Sequence, residues 1–95
     1  MKIIFSFCNQ DRAELGEISD VAHFDGMEYE CDFPCRLHEG DMILSEIIKD
    51  NSFQSLISET ERNNQYVDLF SFEVESFRFE LRNDEIIQMC YVFFV

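Results

Sequence analysis

Phe70-Ser71-Phe72-Glu73-Val74-Glu75-Ser76-Phe77-Arg78-Phe79-Glu80-Leu81-Arg82 alternates apolar and polar side chains along nearly its whole length. A period of two turns one set of side chains inward and the other to water, which is the signature of a half-buried strand. The parity slips once. Phe70, Phe72 and Val74 stand at even positions, whereas Phe77, Phe79 and Leu81 stand at odd ones. One extra residue between Glu75 and Ser76 would return the side chains to the core face, so the spacing predicts a β-bulge or a bend there. A long strand that bends in its middle belongs to a curled sheet, and this sets the fold class as mainly β.

Downstream, Arg82-Asn83-Asp84-Glu85 reads as a turn, and Ile86 to Val95 as the final strand. Ile87, Met89, Tyr91, Phe93 and Val95 share one of its faces, and Cys90, Val92 and Phe94 the other. A strand that is apolar on both faces is central to a packed sheet or belongs to an interface. With few elements left to cover it, Cys90, Val92 and Phe94 are the expected interaction surface. Their partner is either a second copy, in a homodimer through the C-terminal strand, or a basic protein.

Upstream, Ser52 to Thr60 offers Ser52 as a helix N-cap and Phe53, Leu56 and Ile57 at helical spacing, so a short helix is expected before the polar loop Glu61–Gln65. Met42 to Ile48 is ambiguous. Ile43/Ile47 and Leu44/Ile48 lie four apart and Asp41 would suit a cap, but the run is short and Lys49-Asp50-Asn51 interrupts it. A strand over 42–48 is the preferred reading. The stretch Phe33-Pro34-Cys35-Arg36-Leu37-His38-Glu39-Gly40-Asp41 before it is a corner: Pro34 stops a strand at Phe33, and Gly40-Asp41 is a tight-turn pair.

Further back, Val21–Phe24 and Met27–Phe33 flank Asp25-Gly26, a hairpin signal of type I′. A two-residue turn would pair Phe24 with Met27 and Ala22 with Tyr29 on the apolar face, leaving His23 opposite Glu28 and Val21 opposite Glu30 on the wet side. Lys2 to Cys8 is a first strand, with Ile3, Phe5 and Phe7 on one face. Asn9 to Asp20 is a polar loop with one helical turn near Asp11–Leu15, ended by Gly16. The sum is one domain over 1–95: five or six antiparallel strands in a small barrel or curled sheet with one short helix. The order is OB-like with that helix and SH3-like without it. Tyr29, Phe72 and Phe79 are expected to point inward.

Pro34-x-Arg36-Leu37-x-x-Gly40-Asp41-x-Ile43, followed by the late Phe-x-Val and Phe strands, resembles small uncharacterised bacterial β-barrel proteins in which a Pro-x-Arg-Leu-x-x-Gly-Asp turn feeds a strand. The resemblance covers roughly the last two-thirds of the chain. It implies a fold rather than an activity, and no functional residue follows from it. A tryptophan expected in the late strands of such proteins is absent, with Phe77 or Phe79 in its place.

Charge narrows the function classes. Twenty acids against seven bases give a net charge of −13. Phosphate backbones and anionic membranes need a basic footprint, so direct binding to either is not expected. Acids at Glu28, Glu30, Asp32, Glu73, Glu75 and Glu80 fall on the outward face of strands, where they keep a chain with eleven Phe in solution and discourage edge pairing. The sharper reading of the same acids is an imitation of a nucleic-acid backbone that inhibits a basic DNA- or RNA-handling protein.

Cys31-x3-Cys35-x2-His38 has the spacing of a partial zinc set, but no second pair completes it, and Cys31 falls on the apolar face where a small buried thiol is ordinary. Cys35, beside Arg36, is the best-placed thiol for a nucleophile with His38 or His23 as base, yet no orienting third group is visible. Three isolated Gly make no phosphate cradle. No secretory signal and no run of transmembrane length is seen, so the four cysteines (Cys8, Cys31, Cys35, Cys90) are expected as reduced thiols in the cytoplasm. No catalytic, cofactor or metal residue is assigned. The expected function is a non-enzymatic protein-interaction module. The acidic mimic is the alternative, and a small enzyme or ligand barrel, needing a pocket lined by Phe and Tyr, comes third.

Overall fold

The computed structural model describes residues 1–8, 24–63 and 68–94. Five strands and a helix follow one another: β1 (Lys2–Phe7), β2 (Glu28–Asp32), β3 (Met42–Leu44), α1 (Asn51–Asn63), β4 (Ser71–Arg82) and β5 (Glu85–Phe94). They form one sheet in the order β2-β1-β5-β4-β3, curled into a half-barrel around the helix. The loop with a helical turn expected over Asn9–Asp20 lies outside the described residues, while the mainly β class, the curl and the helix before the late strands stand as expected. One pairing does not. β1 runs parallel to β5, with Phe5 beside Cys90 and Phe7 beside Val92, so the sheet is mixed rather than wholly antiparallel.

The bulge lies where parity slips. The β4–β5 register shifts between Val74 and Ser76, and Phe77, Phe79 and Leu81 resume the face of Phe72 and Val74. Two positive-φ residues, Asn83 (φ 51°) and Asp84 (φ 62°), close the β4–β5 hairpin in the way a type I′ turn requires.

The Asp25-Gly26 hairpin takes a different form. Val21, Ala22 and His23 lie outside the described residues. Phe24 sits in a turn, where its carbonyl accepts from Met27 N–H at 3.0 Å. Gly26 (φ 85°) takes positive φ there but Asp25 does not, so the turn is not type I′. β2 finds its antiparallel partner in β1, with Phe5 opposite Tyr29 and Ile3 opposite Cys31. The inward set Met27, Tyr29, Cys31 and Phe33 is nonetheless the expected one, and all four pack against the core.

The expected strand over 42–48 is half right. β3 ends at Leu44, and Ser45–Ile47 form a 3-10 turn. Ser45 causes the break: its hydroxyl donates to the Leu69 carbonyl at 2.6 Å and its N–H to the Phe70 carbonyl at 2.8 Å, spending both groups inside the fold. Asp50, not Ser52, caps α1, its carboxylate accepting from Phe53 N–H at 2.9 Å. Gln54 ties the two segments, its Nε2 donating to the carbonyls of Ser45 (2.9 Å) and Ile48 (2.7 Å). The helix also runs to Asn63, absorbing residues expected as loop.

The main core lies between the concave face of the sheet and α1. Phe5, Phe7, Phe72 and Phe94 from the strands meet Phe24 and Phe53, all buried. Phe7 stacks on Phe94 at 5.0 Å between ring centroids, and Phe5 meets Phe72 edge-on at 5.0 Å. Ile4, Ile87 and Met89 form a second, smaller buried cluster on the convex face, joined by Tyr91. β5 is thus apolar on both sides because it is the middle strand.

Candidate interaction surface

The residues expected to meet a partner are already occupied. Cys90, Val92 and Phe94 are 0, 0 and 1% exposed, and all three belong to the main core. β5 also has β1 along one edge and β4 along the other, so it has no edge to lend to a second chain. The two-sided greasiness of the last strand reflects its central position in this chain's own sheet.

Exposed apolar side chains lie elsewhere: Met42, Leu44 and Phe70 around β3, and a further group at the far end of the β4–β5 hairpin. Phe79 is 44% exposed, Leu81 72% and Ile86 61%. Residues opposite one another in an antiparallel ladder share a face. The register sets Leu81 against Ile86 and Phe79 against Gln88, so the three exposed side chains continue the concave face past the core. Phe79 therefore has the predicted orientation but no core beneath it. Of the other two rings expected inward, Phe72 is fully buried and Tyr29 is half-buried against the core.

The corner after β2 supplies the floor of this patch. Arg36 lays its guanidinium over Phe77 (5.3 Å) and Phe79 (5.5 Å). Leu37 is anchored by both its peptide groups to Gln88. The Pro34–Leu37 segment thus crosses the concave face and holds two of the hairpin's rings from one side.

On the convex face of the same hairpin the charges alternate. Glu80 accepts from Arg82 Nε at 2.9 Å and from Arg78 Nε at 2.8 Å. The hydrogen bond from Arg82 first, then that from Arg78, holds its carboxyl below the usual glutamate range. The Arg78 guanidinium also lies 5.7 Å from the Tyr91 ring centroid.

β4 has an open edge. β3 covers only Ser71–Glu73, and Gly40 and Asp41 add two backbone bonds to Val74. Beyond that, no strand among the described residues flanks β4 on this side from Glu75 to Arg82. The two-residue turn fixes which groups point outward. Arg82 and Glu85 face each other across it, so alternate residues back along β4 bond to β5 and the intervening ones do not. The backbone groups of Phe77, Phe79 and Leu81 are the ones directed at the open side. An unpaired, alternating, partly apolar edge is a template for another strand.

The acid strip is real but mixed in sign. Glu28, Glu30 and Asp32 are exposed on β2, with Lys2 of β1 bridging Glu30 (3.4 Å) and Glu85 (3.1 Å). Those carboxylates, led by the hydrogen bond that Lys2 donates to Glu85, raise the Lys2 pKa.

The thiols and imidazole singled out by spacing do not converge. Cys31 is half-buried against the core, and burial first, then Asp32 and Glu30, push its pKa up. Cys35 is exposed in the corner, and His38 is exposed with its ring 3.9 Å from Asp41. His23 lies outside the described residues. Among the described residues no group of three or more His, Cys, Asp or Glu side chains is placed to hold a metal ion. Among the described residues no helix is long and apolar enough to cross a membrane.

Sequence reasoning missed the hairpin end, although its signal was present. Phe77, Phe79 and Leu81 extend a strand well beyond the three residues that Met42–Leu44 can pair. Comparison with family models, curated proteins and solved structures returned no match.

Proposed function

We propose that this chain is a protein-interaction module that acts by binding rather than catalysis, and that its contact surface is the end of the β4–β5 hairpin. The observation that carries the reading is the coincidence of an open strand edge with exposed apolar side chains at Phe79, Leu81 and Ile86. Either feature alone is common on folded proteins; together they offer backbone bonding and side-chain burial to the same incoming strand. The mimic reading draws less support. The carboxylates of β2 share their face with Lys2, and Glu80 is flanked by Arg78 and Arg82, so the acids form no uninterrupted row.

A photo-crosslinking amino acid placed at Leu81 tests the reading in living cells, with the same group at exposed Glu59 of α1 as the control. Protein adducts from position 81 in excess of those from position 59 are expected. Equal or no adducts from the two positions would overturn the assignment.

A further inference from the structure

We infer that the occupant of the β4 edge is a second copy of this chain, joined antiparallel about a two-fold axis that passes beside Phe79. The inference rests on the interaction reading above and adds both partner and register. An isologous contact requires the strand to be complementary to itself reversed, and few registers of a charged strand satisfy this.

Opposed residues must point to the same face, so the axis passes beside one residue, which then meets its own copy. Beside Glu80, the carboxylate faces its copy and Arg78 faces the partner's Arg82. Beside Arg78, two guanidinium groups face each other. Beside Phe77, Phe79 is set against the partner's Glu75. With the axis beside Phe79 the conflicts disappear. Phe79 meets the partner's Phe79 and Phe77 meets the partner's Leu81 on the concave side, covering Phe79 and Leu81, which are exposed in one chain. On the convex side Arg78 meets the partner's Glu80, and Glu80 the partner's Arg78. Like charges directly opposite destabilise a ladder and unlike charges support it. An axis beside Leu81 would also oppose unlike charges, but it sets Phe79 against the partner's Asn83 and Arg78 against the partner's Asp84, two positive-φ turn residues that cannot extend a ladder, so charge and backbone together select the axis beside Phe79.

The backbone agrees with the side chains. Phe77, Phe79 and Leu81 direct their N–H and C=O groups outward, and in this register each meets an outward-directed residue of the other copy, allowing about six inter-chain hydrogen bonds. The result is a continuous sheet running through two half-barrels, with both β4 edges closed.

Sedimentation equilibrium of the whole chain over a concentration series reads the assembly. A reversible species of twice the 11.3 kDa chain mass is expected. Arg78→Glu and Glu80→Arg alone should each weaken self-association roughly 10-fold, and the two combined in one chain should restore it, because the pairs are then reversed but still opposite. Both positions are at the surface, and circular dichroism checks that each variant folds. Hydrogen exchange on the unaltered chain gives an independent reading: the amides of Phe77, Phe79 and Leu81 should gain protection as concentration rises. A monomer up to about 1 mM, or a dimer indifferent to both single variants, would overturn the inference. So would exchange at the three amides that does not change with concentration. Crosslinks from position 81 to a different protein alone would sink the second copy while leaving the interaction module standing, whereas adducts to nothing would end both.

Discussion

Gln88 holds Leu37 by both peptide groups: its side-chain Oε1 accepts from Leu37 N–H at 2.9 Å, and its Nε2 donates to the Leu37 carbonyl at 2.7 Å. The glutamine is fully buried on the central strand, and the segment it grips is the one that carries Arg36 to the hairpin rings. A side-chain amide here plays the part of a missing strand. Removing it strands one donor and one acceptor away from water, each costing about 1–3 kcal/mol. Gln88→Ala should therefore lower stability by roughly 2–6 kcal/mol in urea unfolding. Gln88→Glu sharpens the test, because an ionised carboxylate can accept from Leu37 N–H but cannot donate to its carbonyl. Burial favours the protonated acid, so this variant should be most stable at low pH and lose stability as pH rises through the raised carboxyl pKa.

Asp50 is the helix cap that the sequence reading passed over in favour of Ser52. Its carboxylate satisfies Phe53 N–H, and Phe53 is the fully buried contact of α1 with the aromatic core. Asp50→Ala should cost about 1 kcal/mol, against a much smaller change for Ser52→Ala. A second readout follows from charge. The Tyr29 phenol is raised by burial first and by Asp50 second, so its pKa should fall in Asp50→Ala when followed by ultraviolet titration. A Tyr29 titration unchanged by the substitution would place the carboxylate's influence elsewhere.

The Asn83-Asp84 turn locates the hairpin whose end is proposed as the contact. Asp84 sits at φ 62°, a region costly for most side chains and easy for glycine. Asp84→Gly should leave stability unchanged or raise it by about 0.5 kcal/mol, and Asp84→Val should lower it by roughly 1–2 kcal/mol, read from thermal midpoints.

The elements that the sequence showed plainly are those in which local pattern and tertiary context agree. The parity slip at Glu75 exposed the bulge, whereas the double-faced run from Ile87 to Phe94 fits a central strand and an interface alike. Pairing was less legible because alternation names a face and not a neighbour: Tyr29 alternates correctly whether it faces Ala22 or, as found, Phe5. The end of β3 was hidden because Ser45 is bound to Leu69, a residue far along the chain. Cys90, Val92 and Phe94 read as an outer surface because a greasy run does not disclose whether its own chain covers it. The exposed pair Phe79 and Leu81 reads as core for the converse reason. Alternation shows that they share a face with Phe77, and says nothing of where that face runs out of helix and loop to pack against.

Cys90 supplies a probe of the core that the other thiols do not. It is fully buried, and burial first, with Asp41 second, pushes its pKa up to about 11. In the unfolded chain the thiol would ionise near its ordinary value of about 8.5. Below that value both states hold the proton and the group adds no pH dependence. As pH climbs from about 9 toward 11 the unfolded state loses its proton while the folded state keeps it, so unfolding becomes easier. The loss attributable to this one thiol reaches about 3 kcal/mol at most. Cys90→Ala should flatten the fall in stability over that range relative to the unaltered chain, measured by urea unfolding at stepped pH. Iodoacetamide at neutral pH gives the kinetic counterpart, since exposed Cys35 should label quickly and Cys90 only as fast as the core opens. Equal labelling rates at the two thiols would mean that β5 is not the enclosed central strand on which the placement of the hairpin depends.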